Sequence, residues 1–430
     1  MRQHGRMPFS SIAAPTSATR PGQRETVVML AGLMAFNALA IDIMIPALPA
    51  MGADLGVSDE NQRQLVVIAY MLGFGSTQLI WGPLADRFGR KPVLATGVAL
   101  YAAFALLCGL AGSFALLIAA RALQGAFAAV TRVLIVAMVR DLFQGEAMAR
   151  IMSLVFMVFM VVPVLAPTIG QAILLVAPWR VIFVVLAAYG IIMLVWSWMR
   201  LPETLNPEYR RTLAPRDMAA AAWATLADRQ SLGYTLALTA TFGTLTAYIA
   251  SIQQIVFDAF GAGELIGLVF AMIAAPMALA SWTNSRIVGR FGLRRVGHIG
   301  VAGFGLVTFA HALLGGAGLV TLPVFIVMQG LAMICFAFTS ANVSTLAMEH
   351  MAPIAGTASS VQGVIGTIGG AVIGFAIGQA FDGTVQPFLW GVAVCAGAAI
   401  LLVAVTEPKR LFASLPRVDS EPVPAPPAEL

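Results

Sequence analysis

The chain has 430 residues, of which 59% are hydrophobic and only 10% are charged. Soluble globular domains carry about a quarter charged residues, so this composition excludes that class of protein. The hydrophobic residues occur in blocks of about twenty, the length that crosses a bilayer, and they predict an all-α polytopic membrane protein.

Twelve apolar segments are predicted, and the longest hydrophilic break separates the sixth from the seventh. The chain therefore divides into a cytoplasmic tail (1–25), an N-terminal six-helix bundle (26–199), a cytoplasmic linker (200–231), a C-terminal six-helix bundle (232–410) and a disordered, proline-rich cytoplasmic tail (411–430). The predicted segments are 26–50, 65–84, 93–111, 115–139, 151–177, 181–199, 232–257, 265–283, 296–318, 319–348, 354–380 and 387–406.

The distribution of lysine and arginine predicts the orientation of these segments. With the N-terminus in the cytoplasm, 21 of the 25 basic residues fall in cytoplasmic pieces, and only Arg63 and Arg180 fall in outer loops. We therefore expect both termini to be cytoplasmic in an inner (plasma) membrane protein. The net charge of +5 then reflects topology, and no binding to nucleic acid is expected.

Asp42, in the first segment, is the only acidic residue well inside a predicted span, and an ionisable group at that depth is a functional candidate. It lies about 24 Å from the cytoplasmic end, and Arg121 in the antiparallel fourth segment lies about 27 Å deep. The matching depths predict that the two meet or exchange partners in a central cavity, with Asp42 as proton acceptor and Arg121 as its partner. The alternative is a permanent ion pair that only fixes helix packing.

The stretch GPLADRFGRKPV, from Gly82 to Val93, joins the second and third segments. Its glycines allow a tight turn and its basic residues hold the loop on the cytoplasmic side. A carboxylate at Asp86, between Arg140 and the positive N-terminal end of the eleventh helix, would latch the halves together at the cytoplasmic face. The alternative is a loop that only turns the chain and fixes topology. The predicted latch comprises Gly82, Asp86, Arg87, Gly89, Arg90, Lys91 and Arg140.

Pro163, Pro167 and Gly170 interrupt the fifth segment. Membrane helices tolerate such residues where neighbouring groups satisfy the freed backbone. The pattern predicts a kink, which is either a plain bend or a gating device.

The two halves carry matching motifs at a steady offset of 203 to 205 residues. DRFGRKPV at Asp86–Val93 matches GRFGLRRV at Gly289–Val296, LQGAF at Leu123–Phe127 matches MQGLA at Met328–Ala332, and Glu203 matches Glu407. These matches indicate duplication of a six-helix unit.

The predicted acid and base do not repeat. Arg121 maps to Ile326, and Asp42 maps to TAYI around Thr246–Ile249. The shared fold therefore does not require either residue, which favours a functional role for both.

Polar residues within the segments are candidates for lining a substrate cavity, although each could equally make a hydrogen bond between helices. Arg132 shares a helix face with Arg121, and it either lines the cavity or extends towards the inner surface. The candidates are Tyr70, Gln78, Gln124, Arg132, Tyr248, Gln253, Gln254, Asn342 and Gln362.

The sequence offers no metal-ligand cluster and no nucleophile motif. Cys108, Cys335 and Cys395 all fall in apolar segments, and the four histidines are scattered. We expect no metal site, no cofactor and no enzymatic activity.

Several motifs resemble the major facilitator superfamily, and together they extend over nearly the whole chain. The Gly82–Val93 stretch resembles its signature loop, RALQG at Arg121–Gly125 resembles the helix-four motif of proton-coupled members, and PVLAPTIG at Pro163–Gly170 resembles the helix-five antiporter motif, with Ala166 in place of the usual glycine. The bicyclomycin/chloramphenicol-resistance branch of drug:proton antiporters is similar at AIDIMIPALPAM (Ala40–Met51), LPETL (Leu201–Leu205) and AGTASSVQG (Ala355–Gly363).

The resemblance implies two pseudo-symmetric six-helix bundles and export of small amphipathic compounds, drugs included, driven by the proton gradient through alternating access. It also implies that Asp86 stabilises the outward-facing state, that helix five bends to gate or seal, and that the protein is a monomer. Relatives usually carry an arginine where Val136 stands, which puts a copied role for Arg132 in question. The alternatives are a proton-coupled metabolite transporter on the same fold and a transporter-like receptor without transport.

Overall fold

The computed structural model describes residues 22–143, 148, 151, 162–163, 165–205, 215–408 and 410–412. Within that part of the chain all regular elements are helical, and eleven helices are long and apolar enough, by length and composition, to cross a membrane. Much of the predicted fifth segment and most of both predicted tails lie outside the described residues.

The first half begins with a helix that is interrupted. α1 ends at Asp42, a short 3-10 turn follows at Ile45–Ala47, and α2 continues to Asp54. Pro46 at the start of the turn suits a helix beginning, because proline has no N–H to leave unpaired there. The helices of this half are α1 (Gln23–Asp42), α2 (Leu48–Asp54), α3 (Leu65–Phe88), α4 (Arg90–Gly109), α5 (Phe114–Leu142), α6 (Leu165–Leu174) and α7 (Arg180–Arg200).

The linker contains a helix of its own, α8 (Pro215–Ala227), and the second half follows directly from it. Asp228 caps the next helix by accepting a hydrogen bond from the Ser231 backbone N–H at 2.6 Å. The remaining helices are α9 (Arg229–Gln254), α10 (Ile266–Phe291), α11 (Leu293–Gly316), α12 (Leu322–Met348), α13 (Ala355–Gln379) and α14 (Gln386–Thr406).

Single glycines join equivalent helix pairs in the two halves. Gly89 connects α3 to α4 with φ +101°, and Gly292 connects α10 to α11 with φ +83°. Side chains rarely adopt this left-handed backbone region, so glycine permits a turn of one residue. The two positions are 203 residues apart in the chain, the offset at which the motifs repeat.

The halves have separate apolar cores and meet along a few helices. One buried cluster draws almost entirely on the first half, and two others draw on the second. The main crossing contact is between α3 and α13, and α9 also contacts the 3-10 turn after α1. We call the end of the molecule that carries the linker the linker face, and the other end the opposite face.

Candidate functional site

Asp42 closes α1, and only 3% of its surface is exposed. Its Oδ1 atom is buried without a hydrogen-bond partner among the described residues, and no described cation pairs with it. A carboxylate is costly to bury unless it is paired and hydrogen-bonded. Asp42 is therefore an acidic group whose surroundings favour the neutral form.

Arg121 is fully buried near the start of α5 and is occupied by other groups. Its guanidinium donates to Gln124 Oε1 at 2.8 Å, to the Val66 carbonyl at 3.0 Å and to the Ala40 carbonyl at 3.2 Å. The Tyr70 ring lies beneath it, with 4.3 Å between Cζ and the ring centroid. Arg121 thus ties α1 and α3 to α5.

The predicted contact between Asp42 and Arg121 is not present, and that prediction is wrong for this structure. Arg121 reaches α1 at the Ala40 carbonyl, two residues before Asp42. Side chains two residues apart on an α-helix point about 200° apart. Counting depth along the helix axes fixed the level of the two residues but not the side of α1 on which each lies.

Buried polar atoms without partners also occur on α9, in the second half. The hydroxyl groups of Tyr248 and Ser251 and both amide atoms of Gln253 are buried and unpartnered among the described residues. The helix that carries Tyr248 contacts the short turn that follows Asp42. Because buried polar groups are nearly always hydrogen-bonded, these orphaned groups at the boundary of the halves point to a functional site.

Amide side chains join the two halves at the opposite face. Asn61 Nδ2 donates to the Gln379 carbonyl at 3.2 Å, and Gln379 Nε2 donates to the Asn61 carbonyl at 2.8 Å. Gln64 Nε2 contacts Gln254 Oε1 and donates to the Gly378 carbonyl at 3.0 Å, while Gln254 Nε2 donates to Asn61 Oδ1 at 2.7 Å. We call Asn61, Gln64, Gln254 and Gln379 the amide seal. Gln254 therefore lies in this seal and not in a cavity wall.

A side chain at position 378 would displace the Gln64 amide from this seal. A Cβ atom there would collide with the Gln64 side chain, which lies directly against the α13 backbone. The close approach allows Gln64 to reach the Gly378 carbonyl.

The contact between the halves changes along α3 and α13. Gln78 Nε2 donates to Thr367 Oγ1 at 3.1 Å near the middle of both helices. From that level to the linker face, no hydrogen bond or ion pair joins the described residues of the two helices. Hydrogen bonds therefore join the halves at the opposite face. Between Gln78 and the linker face, none joins the described residues of α3 and α13.

Side chains of α5 are exposed on the linker side. Arg132, Val136 and Arg140 follow one another at intervals of four residues and are all exposed. That spacing places them in one stripe along the helix. The Arg132 guanidinium lies 6.0 Å from the Phe74 ring centroid.

The predicted latch loop is held within the first half. Asp86 Oδ1 pairs with Arg90 at 2.8 Å across the Gly89 turn, and Arg90 also contacts Asp141 at 3.3 Å. Glu203 accepts hydrogen bonds from the backbone N–H groups of Arg90 and Lys91 at 2.9 and 3.2 Å. These contacts fix the turn between α3 and α4.

The predicted ion pair between Asp86 and Arg140 is not formed, and Arg140 is exposed. The reason is local, since the one-residue turn at Gly89 places Arg90, at the start of α4, beside Asp86, near the end of α3. Of the other loop residues, Arg87 lies 5.2 Å from the Phe88 ring centroid, and a Cβ atom on Gly82 would meet Val133 at 3.8 Å, an ordinary contact distance.

A matching ionic cluster stabilises the second half at the linker face. Arg294 contacts Glu349 at 2.6 Å and Glu407 at 2.8 Å, and the Tyr234 hydroxyl donates to Glu407 at 2.8 Å. His298 Nε2 lies 3.0 Å from the same hydroxyl. Burial alone would raise the pKa of Glu407, but the hydrogen bonds from Arg294 and Tyr234 outweigh it and hold that pKa below its ordinary value.

Other predicted residues have structural partners within one half. Tyr70 donates to Asn37 Oδ1 at 3.1 Å, Asn342 donates to Asn284 Oδ1 at 2.7 Å, and Gln362 donates to Ser231 Oγ at 2.9 Å. All three bonds join neighbouring helices. The structure therefore does not gather the predicted cavity residues into one site.

The described part of the predicted fifth segment, which includes α6, approaches the end of α1. Pro163 is half-buried, Pro167 and Gly170 are buried, and a Cβ atom on Gly170 would collide with the Ile43 carbonyl, next to Asp42. Among the described residues, no group of three or more acidic, histidine or cysteine side chains could hold a metal ion.

The amide seal and the Arg294 cluster were not predicted from the sequence. Amide residues at helix ends carry no distinctive pattern, although ENQRQ at Glu60–Gln64 concentrates them. The Arg294 cluster had a usable signal, because Glu407 repeats Glu203 and Arg294 lies in the repeated basic loop.

Comparisons with known proteins agree with this architecture. The family model described as Major Facilitator Superfamily matches residues 30–374. The chain is 30% identical to the bicyclomycin resistance protein homolog of Haemophilus influenzae over 88% of this chain and 96% of that protein. It is 38% identical to the multidrug resistance protein MdtL of Escherichia coli over 38% of this chain and 42% of that one. The crystal structure of the human organic anion transporter MFSD10 has the same fold, with a TM-score of 0.65, 19% identity and coverage of 89% of this chain and all of that one.

Proposed function

The chain belongs to the Major Facilitator Superfamily and is a multi-pass membrane transporter, and from this premise we propose that it exports small amphipathic compounds, drugs included, in exchange for protons. The names of its bacterial relatives, which refer to bicyclomycin and multidrug resistance, support cargo of that kind. We further infer that it acts as a monomer without a bound cofactor or enzymatic step, in the inner membrane and with both termini in the cytoplasm.

The observation that carries this proposal is the unpaired carboxyl of Asp42. It is buried at the boundary of the halves, and one oxygen has no partner among the described residues. Because an ionised form would be costly there, the enclosed state is expected to hold a proton. When water or cargo reaches the site, that cost falls and the proton can leave.

The fastening of the halves supports alternating access. The amide seal closes the opposite face. Between the Gln78–Thr367 bond and the linker face, no hydrogen bond joins the described residues of α3 and α13. Cargo would enter from the linker face in this conformation, and rocking of one half against the other would expose it at the opposite face.

The proposed activity can be tested in everted membrane vesicles with bicyclomycin as the probe and an imposed proton gradient. The wild-type protein should accumulate the probe, and Asp42→Asn should abolish gradient-driven accumulation while exchange down the probe's own gradient continues. Asp382→Asn, which changes an exposed acid between α13 and α14, serves as the matched control and should remain active. Full gradient-driven accumulation by Asp42→Asn would refute Asp42 as the coupling site.

If bicyclomycin does not accumulate, a drug-susceptibility panel in a pump-deficient host extends the test to other compounds. Protection against none of them would favour a metabolite transporter, and the additional absence of proton flux would favour a receptor. Either result would contradict drug export.

The proposed orientation has an independent test. Single cysteines in α8, for example Trp223→Cys at an exposed position, should resist impermeant thiol reagents outside intact cells, with the three native cysteines replaced. Thr384→Cys at the opposite face should react readily. Labelling of Trp223→Cys from outside would reverse the proposed topology.

A further inference from the structure

Tyr248 and Asp42 occupy related places in the two halves. The repeat maps Asp42 onto the TAYI stretch that contains Tyr248, so the pseudo-twofold relation brings these positions to the boundary from opposite sides. Ile45, three residues after Asp42, packs in the same apolar cluster as Tyr248, and the turn that contains it contacts α9. The end of α1 therefore lies against α9, the helix of the second half that carries Tyr248.

The hydrogen-bonding capacity of these two groups is complementary and unused. Asp42 Oδ1 is a buried acceptor without a partner, and the Tyr248 hydroxyl is a buried donor without a partner, among the described residues. A carboxylate only accepts hydrogen bonds, whereas a phenol can donate one. A small rearrangement of α1 against α9 would satisfy both groups.

Several titratable side chains directed at α1 already have partners, while Tyr101 on α4 packs against Phe36, six residues before Asp42. Arg121 donates to the Ala40 carbonyl, Tyr70 donates to Asn37, and Tyr189 on α7 donates to the Gly32 carbonyl at 2.8 Å. None of them bonds to the Asp42 carboxyl. Among the buried, unpartnered donors on α9, which also include Ser251 and Gln253, Tyr248 is the one in the TAYI stretch onto which Asp42 maps.

We propose that the Tyr248 hydroxyl is the hydrogen-bond donor that stabilises the Asp42 carboxylate when its proton leaves. This inference rests on the proposed proton-coupling role of Asp42. A charge-assisted O–H···O⁻ bond is about twice as strong as a neutral one, so the bond forms preferentially with the ionised acid. Because Tyr248 belongs to the second half, loss of the proton from the first half changes the contact between the halves.

Tyr248 would then act on the Asp42 carboxylate and would not itself transfer a proton, which makes it a positioning residue. The phenol keeps its own proton, and the carboxyl proton passes to water or to the opened cavity. Without the hydroxyl, the carboxylate would lose its donor and Asp42 would keep its proton to a higher pH.

The test uses infrared spectroscopy on the purified full chain in lipid, without cargo. The absorption band of a protonated carboxyl is followed against pH, and Asp42→Asn identifies the part of the band that belongs to Asp42. Tyr248→Phe, which removes only the hydroxyl, should raise the pH midpoint of that part by about one to two pH units. Tyr101→Phe removes another buried, unpartnered hydroxyl, on α4, and should leave the midpoint unchanged.

The outcomes separate this inference from the proposed function. If the Asp42 band is present in Tyr248→Phe and its pH midpoint is unchanged or lower, only the role of Tyr248 is overturned. An equal rise in Tyr101→Phe would also overturn it, because the effect would then not be specific. If Asp42→Asn removes no part of the band, the proton site itself is wrong.

Discussion

The linker face and the opposite face are held together by different chemistry. At the linker face, ionic clusters around Arg90 and Arg294 join helices within one half. At the opposite face, the amide seal joins one half to the other with neutral side chains.

The two kinds of contact differ in how easily they separate. A buried ion pair is costly to break, because each separated partner becomes an uncompensated charge. A neutral hydrogen bond contributes only about 0.5–1.5 kcal/mol net and is readily exchanged for one with water. The strong contacts therefore keep each half rigid, and the weak ones lie where the halves must separate.

The largest expected effect comes from breaking an ionic cluster. Arg294→Ala would leave Glu349 and Glu407 without their cation and should lower the free energy of unfolding by about 3–5 kcal/mol. Arg286→Ala, at an exposed arginine over the Trp282 ring, should lower it by about 1 kcal/mol or less. Chemical unfolding in detergent measures both, and similar losses would show that the cluster does not stabilise the second half.

A smaller effect is expected from breaking the amide seal. Gln64→Leu removes the bonds to Gly378 and Gln254, which should disfavour the sealed conformation by about 1–3 kcal/mol and shift its population about 5- to 150-fold. Distances between spin labels at Ser58→Cys and Thr384→Cys, both exposed at the opposite face, should then include a longer component.

Asn342→Leu provides the control for that experiment. Asn342 is a buried amide that bonds to Asn284 within the second half. It should lower stability without lengthening the Ser58–Thr384 distance. A longer distance in this variant as well would attribute the opening to general loosening of the fold.

Asp86→Asn should have a smaller effect on stability. The Asp86–Arg90 pair is partly exposed, and such pairs contribute about 0–1 kcal/mol. If Asp86 also latches the halves in the outward-facing state, distances across the linker face should shift towards the open form. An unchanged distance distribution would contradict the latch and favour a loop that only turns the chain and fixes topology.

A pH-dependent effect on stability is expected for Glu407. Its pKa lies below the ordinary value of 4.5, so its ionised form adds stability that is complete above that value and is lost as pH falls through the lowered pKa. The difference in thermal midpoint between wild type and Glu407→Gln should be constant at neutral pH and shrink below pH 4.5. A difference that grows on acidification would reverse this sign.

The sequence was informative where a physical pattern repeats along the chain. Hydrophobic blocks predicted the membrane fold, and the offset repeat aligns Gly89 with Gly292, the two positions at which the structure has glycine turns. Burial of Asp42 also followed from its place in an apolar segment. These features depend on composition and spacing alone.

The partners of the polar side chains did not follow from the sequence. Asp42 and Arg121 were matched by depth, but rotation about the α1 axis separates them, and Arg121 bonds to backbone carbonyls instead. Asp86 pairs with its neighbour Arg90 and not with Arg140. The amide seal depends on which helix ends meet, which no single segment encodes.

The unequal repeat at Asp42 and Tyr248 has a consequence for the driving force. One ionisable carboxyl deep in the spans implies one proton for each cycle. With an uncharged cargo, each cycle would carry one net elementary charge inward, and the membrane potential would contribute about 2.3 kcal/mol for every 100 mV. With a singly charged cation as cargo, the exchange would be electrically silent, and only the pH difference would drive it. Transport of an uncharged compound by this chain is therefore expected to respond to voltage.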